Sequence, residues 1–175
     1  MVALTHGHRD HAAGCVQFEH IYGSDINLKN AGIDYCGKIT QLKDGMVFDL
    51  GGRRVTVISV PGHSAEDACF YIEPENILIC GDAIATGPSY TMTKGASVIR
   101  WISSLERLLS MKIPITKIYC SHRESFLEVS SIQEMYDSLI KFKQGKMECY
   151  GASVYGFGNS YWHSNGRYSY FTDAR

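Results

Sequence analysis

The chain has 175 residues, of which 45% are hydrophobic and 20% charged. That is enough for one domain with a real core and short for two. A net charge of −1 gives no electrostatic reason to bind nucleic acid or an anionic membrane. No apolar run reaches transmembrane length, and the N-terminus lacks a signal-peptide pattern.

The first predicted element is a short strand, Val2 to Leu4, opening into Thr5-His6-Gly7-His8-Arg9-Asp10-His11. Three histidines and one aspartate fall within six positions, more ligands than one metal ion takes comfortably from a single segment. The surplus suggests two metals side by side. His11 to Gln17 could start a short helix, and Ile21 to Gly23 is too brief to assign. From Ile39 the pattern is β. Met46 to Leu50 and Arg53 to Val60 form a hairpin across Gly51-Gly52. Pro61-Gly62 stops the second strand just before His63. Ala68 to Ile72 and Ile77 to Cys80 form another hairpin, ending at Gly81-Asp82.

Ala83 to Gly95 has no periodicity and is expected to be a loop. Val98, Trp101, Ile102, Leu105, Leu108 and Leu109 recur at helical spacing, predicting a helix over Ala96 to Met111. Ile115 to Cys120 is a predicted strand leading to Ser121-His122. Ile132, Met135, Tyr136, Leu139 and Ile140 mark a second helix, with Ser131 and Glu134 as its expected capping box. The tail from Lys146 is rich in Tyr, Gly and Ser and is expected to end in a strand or hairpin. No repeat or linker interrupts the chain, so residues 1–175 are expected to be one domain.

Six cysteines are spread without a C-x-x-C pair. Cys69, Cys80 and Cys120 lie in apolar runs and read as small buried hydrophobes. Free thiols favour a reducing, cytoplasmic setting. His63, Asp82 and His122 each stand just past the C-terminal end of a predicted strand. Such ends fix loop residues rigidly and can assemble a precise site with the opening motif.

These segments resemble the metallo-β-lactamase superfamily. The pieces are Thr5 to His11, Val60-Pro61-Gly62-His63-Ser64, Cys80-Gly81-Asp82-Ala83 and Ser121-His122, in family order. The resemblance implies an α+β fold, an αββα four-layer sandwich. It implies that His6, His8 and His63 hold one metal, that Asp10, His11 and His122 hold a second, and that Asp82 bridges both. Asp10 is also assigned a catalytic role. The cofactors would be two divalent ions, zinc first, with iron or manganese as alternatives. A hydroxide between the ions would attack a small ester, thioester, lactone or amide.

Departures narrow the class. Asp82 stands where the commonest β-lactamases carry cysteine, which resembles the glyoxalase II and lactonase branch. His8 argues against the diiron flavoproteins, which have glutamate there. Glyoxalase II also carries a helical C-terminal domain, and with 53 residues after His122 a thioesterase acting on glutathione conjugates is an expected alternative, not the favoured one. Alternation would turn Cys80 to the face of Asp82. Tyr155, Tyr161, Trp162 and Tyr168 are expected to pack in strands, with a pocket wall as the alternative. Arg9 reads as solvent-facing or at a substrate edge. His20 and His163 match no family position and are expected at the surface or a pocket edge.

The family has strands before its histidine motif, where this chain has only Met1 to Thr5. The resemblance therefore implies an N-terminally truncated sandwich, with an exposed sheet edge and apolar face. Three readings stand: a fragment, a homo-oligomer covering the gap, or a tail that fills it. Two other functions also stand beside the hydrolase. One is a mononuclear iron persulfide dioxygenase built on two histidines and one aspartate; the other is an inactive module of the same fold. A small-molecule substrate is the expected partner.

Overall fold

The computed structural model describes residues 2–154 and 158–173. In chain order, strand β1 (Val2–Ala3) leads through the histidine motif into helix α1 (Arg9–Ala12) and a 3-10 turn over Ala13–Gln17. Strand β2 (His20–Gly23), helix α2 (Asp25–Asn30) and strand β3 (Lys38–Gln41) follow. Then come β4 (Val47–Asp49), β5 (Arg54–Ser59), β6 (Ala68–Glu73), β7 (Ile77–Gly81) and β8 (Gly87–Tyr90). Helix α3 (Val98–Ser110), strand β9 (Lys117–Cys120) and helix α4 (Ser131–Lys143) precede β10 (Glu148–Val154), β11 (Gly158–Ser164) and β12 (Tyr168–Thr172).

The strands form three sheets, ordered β1-β2-β3, β4-β5-β6-β7-β9 and β10-β11-β12-β8. Both predicted hairpins are present, β4 with β5 and β6 with β7. The central five-stranded sheet is apolar on both faces, as strand alternation requires when both are covered. On one face Ile58, Cys69, Tyr71, Leu78 and Ile118 meet α3 and α4. On the other, Val57 and Phe70 form a smaller cluster towards the three-stranded sheet, with Phe48 edge-on to Tyr22 at 4.9 Å. The outer face of the three-stranded sheet buries Leu4 and Ile21 against Ala12 and Leu28 of α1 and α2. Helix, sheet, sheet and helix thus stack as the αββα order requires, and the third sheet lies against α3 and α4 through Tyr168 and Tyr170.

Helix α3 forms where the 3.6-residue spacing predicts it. Ser97 caps it by accepting from the Arg100 amide at 3.4 Å. Trp101, Ile102, Leu105 and Leu108 are buried, each contributing about 1.5–3 kcal/mol. Several expectations shift. The capping pair of α4 moves back one residue: Ser130 is the N-cap and its Oγ bonds Glu134 Oε1 at 2.9 Å, while Ser131 is fully buried. The expected loop after Asp82 contains β8, which pairs in parallel with β12 from Tyr168↔Gly87 to Phe171↔Tyr90. The tail is a three-stranded antiparallel unit on β8, so among the described residues it does not cover β1.

An apolar groove of about 210 Å³, lined by Val2, Ala3, Phe48, Leu50 and Ile79, opens beside β1. Leu50 is 58% exposed. No described helix is long and apolar enough to cross a membrane.

Candidate metal centre

Four chain segments bring the seven residues singled out in the sequence to one place. β1 delivers His6 and His8, and α1 carries Asp10 and His11. His63 follows β5, Asp82 follows β7 and His122 follows β9. Gly81 makes the turn into Asp82 possible. Its φ is +54°, and a Cβ there would lie 2.5 Å from Thr5 Oγ1. His122 itself adopts a left-handed φ of 64°, a conformation that costs energy and concentrates at functional sites.

One oxygen is common to four of the histidines. Asp82 Oδ2 lies 3.2 Å from His122 Nε2, 3.4 Å from His11 Nε2, 3.5 Å from His63 Nε2 and 3.9 Å from His6 Nε2. On one side His63 Nε2 is 2.9 Å from His8 Nδ1. On the other, His11 and His122 Nε2 are 3.1 Å apart, and Asp10 Oδ2 is 3.3 and 3.4 Å from them. Zinc bonds of about 2.0–2.1 Å at tetrahedral angles put ligand atoms about 3.3 Å apart. The observed spacings centre on that edge length. Three groupings each hold ligand atoms within 4.8 Å of one another: His6, His8 and His63; His6, His11 and Asp82; Asp10, His11 and His122.

The environment suits a metal in a second way. His6 Nε2 is buried without a hydrogen-bond partner, as is Asp82 Oδ1. Buried polar atoms are rarely left unpaired, and a cation beside Asp82 would satisfy the ring nitrogen. Burial, reinforced by the neighbouring His63, lowers the His6 pKa to about 2. Burial likewise lowers His63 to about 4 and depresses His8. These imidazoles are therefore neutral, the form that ligates metal. Burial also opposes charge on His11, but the carboxylates of Asp82 and Asp10 outweigh it and raise its pKa. Burial would raise Asp82, yet His11, His63 and His6 hold it below the usual carboxylate range.

A testable pH dependence follows for the metal-free chain. The unfolded imidazoles take up protons below about pH 6.5, whereas folded His6 and His63 do not. Stability is thus fully present above 6.5 and falls with acidification, by about 1.4 kcal/mol per pH unit for each of these two residues. Urea midpoints measured in chelator should drop between pH 7 and pH 5. A flat profile would show that the folded site accepts the protons.

Outside the ligand shell, Thr5 Oγ1 lies 3.2 Å from His6 Nδ1, the type of contact that orients a ligating ring. Trp101 packs edge-on to His63 at 5.5 Å and donates its indole N–H to Ala83 O at 2.8 Å, tying α3 to the loop after Asp82. Asp67 fastens the His63 loop: Oδ2 accepts from the amides of Gly62 and Ser64 at 3.0 and 2.7 Å, and Oδ1 from Ser64 Oγ at 2.6 Å. Sequence reading missed Asp67. Its signal was a carboxylate four residues past His63, directly before the apolar run Ala68 to Ile72.

Beside the cluster is a cavity of about 600 Å³, bordered by His8, Asp10, His63, Asp82 and His122 and walled by Ala85, Pro88 and Tyr90. Arg9, which is exposed, and Arg123 stand at its edge. The aromatic tail residues do not line this cavity. Tyr168 is buried with its hydroxyl near Ser131 O and Glu134, and Trp162 stacks with Tyr150. Tyr155 lies outside the described residues. His20 bonds Thr40 Oγ1 at 2.9 Å. His163 is buried against Phe142 instead of lying at the surface, because β11 turns it inward while Trp162 points out. Cys80 also departs from expectation. A register shift between Ile79 and Gly81 breaks the alternation, and its thiol turns into the core towards Ile84 O and Tyr119 O.

Comparison with known proteins agrees with this geometry. The sequence model of the metallo-beta-lactamase superfamily matches residues 30–122, more than half of the chain. A probable polyketide biosynthesis zinc-dependent hydrolase from Bacillus velezensis is 28% identical over 152 residues, covering 84% of this chain and 67% of its own length. A hydroxyacylglutathione hydrolase from Methylococcus capsulatus is 31% identical over 127 residues, 69% of this chain and 47% of its own. The chain therefore spans about two thirds of the first relative and about half of the second. Among solved structures, a metallo-beta-lactamase from Pontibacter korlensis superposes with a TM-score of 0.63 at 20% identity, over 79% of this chain and 67% of that one. By sequence match and by fold, the chain belongs to the metallo-beta-lactamase superfamily.

Proposed function

We propose that this metallohydrolase works with two divalent ions, zinc first, and cleaves a small ester, thioester, lactone or amide. One observation carries the reading: a single carboxylate oxygen, Asp82 Oδ2, is shared by four histidine nitrogens drawn from three other segments. His6, His8 and His63 form one ligand set, Asp10, His11 and His122 the other, and Asp82 belongs to both. When bound, such ions lower the pKa of a water towards about 7 and polarise the bond to be cleaved.

The chain's own residues then position the reactants. The buried, neutral histidines supply lone pairs without competing protons. Asp10, its carboxylate open to the cavity, accepts a hydrogen bond from the attacking water and orients it. The apolar wall of Ala85, Pro88 and Tyr90 sheds water from an acyl chain. The named zinc-dependent hydrolase and hydroxyacylglutathione hydrolase relatives support both the metal and an acyl substrate.

The test is metal content by mass spectrometry of the purified chain, with a panel of chromogenic esters, thioesters and lactones. About two zinc ions per chain and hydrolysis that His8→Ala abolishes are expected. One iron per chain, oxygen consumption with persulfide and no hydrolysis would instead favour the dioxygenase reading.

A further inference from the structure

Asn27 of α2 is buried, yet it belongs to neither ligand set and does not border the cavity beside them. Its side-chain amide spends both hydrogens on one loop. Nδ2 donates to Ser64 Oγ at 3.2 Å and to Glu66 O at 2.5 Å. A backbone carbonyl only accepts, which fixes the nitrogen, not the oxygen, towards that loop. Ser64 Oγ passes the chain on by donating to Asp67 Oδ1 at 2.6 Å. His63 directly precedes Ser64, so the amide grips the loop that carries this ligand.

The other side of Asn27 meets a second ligand segment. A Cβ at Gly7 would lie 2.5 Å from Asn27 Cβ and 2.7 Å from its carbonyl carbon. Only glycine allows that approach, so His6-Gly7-His8 rests directly on α2. Asn27 is itself held in place. Its backbone amide donates to Ser24 Oγ at 3.4 Å, and the next residue, Leu28, packs with Leu4, Ala12 and Ile21.

One side chain thus spans the two segments that supply His6, His8 and His63. Those segments meet where His8 Nδ1 and His63 Nε2 stand 2.9 Å apart. Ligand atoms from separate segments serve one ion only while such a spacing is kept, within about 0.2 Å. The hydrogen bonds of Asn27 and its contact with Gly7 reach neither Asp10, His11 nor His122.

We propose that Asn27 is a positioning residue for one of two ion sites: it sets the spacing between His6-Gly7-His8 and His63 and leaves the set of Asp10, His11 and His122 alone. The inference rests on the two-ion reading and goes beyond it, because it makes the two sites separable by a residue that touches neither ion.

The test isolates each site in the purified, metal-free chain. His122→Ala leaves the set of His6, His8 and His63; His8→Ala leaves the other. Zinc affinity is measured by competition with a chromophoric chelator, with and without Asn27→Leu, which keeps a branched side chain against Gly7 and removes both donors. In the His122→Ala chain, Asn27→Leu should weaken zinc by about tenfold, the lower end of what loss of a ligand-orienting partner costs. In the His8→Ala chain the change should stay within about twofold, the scatter of independent sites. A general loss of stability would weaken both sites alike, since both form only in the folded chain. Equal losses in the two backgrounds, or no loss in either, overturn the proposal. If Asn27→Leu does not fold, Asn27→Asp decides, since it keeps the size and turns an acceptor towards Glu66 O; the same asymmetry is expected. Should a single-site chain bind no zinc, ring-proton shifts of the metal-free chain decide instead. Asn27→Leu should move the signals of His6, His8 and His63 and leave that of His122 in place; uniform or absent shifts overturn the proposal. Zinc absent from the unaltered chain too is what fails the two-ion reading.

Discussion

Asp82→Ala should remove turnover by a factor of about 10³ or more and lower the metal content of the purified chain. Loss of residues that merely orient a metal ligand costs about 10–100-fold, and Asp82 stands inside that shell. Its Oδ2 is within 3.9 Å of four histidine nitrogens, spanning both ligand sets. Alanine would leave the four imidazoles around a gap, with Asp10 the one carboxylate left in the proposed ligand sets. His11 would also lose the largest influence raising its pKa. Asp82→Asn separates the two contributions, because it keeps the shape and removes the charge. It should retain more metal than Asp82→Ala while losing most of the activity. The measurements are metal per chain and kcat/KM on the same preparation. Full metal content with activity within tenfold of the unaltered chain would show that Asp82 is not shared.

The candidate site was legible because its residues are unusual in type and sit at strand ends. H-x-H-x-D-H cannot be a core pattern, and His63, Asp82 and His122 each follow a run of β-branched or apolar residues that only a strand explains. Helix α3 was legible for the same reason: its apolar positions repeat at the helical period and all face one core. What was not legible depends on partners distant in the chain. Gly87-Pro88-Ser89-Tyr90 has no strand propensity of its own and becomes β8 only through β12, about eighty residues later. The inward thiol of Cys80 follows from a register shift between β7 and β9, which local alternation cannot reveal.

Asp67→Ala is expected to destabilise the chain by about 2–4 kcal/mol and to weaken metal binding, although Asp67 is no ligand. The Gly62 and Ser64 amides, on either side of His63, both donate to Oδ2. Alanine leaves these donors buried without a partner, at about 1–3 kcal/mol each, and frees the loop that aims His63. Asp67→Asn probes charge instead. Burial raises the Asp67 pKa to about 6, against the hydrogen bonds of Ser64 and Gly62 that favour the anion. The folded value thus exceeds the unfolded value of 3.8. Ionisation therefore costs the folded state nothing below about pH 4, and the cost grows as pH rises to about 6. Relative to the unaltered chain, Asp67→Asn should consequently look worst near pH 4 and recover by pH 7. Denaturation midpoints of the two metal-free proteins across that range give the difference directly. A constant gap would mean that Asp67 titrates as in the unfolded chain. Zinc affinity measured beside them should fall for Asp67→Ala more than for Asp67→Asn, because the asparagine oxygen can still accept from both amides.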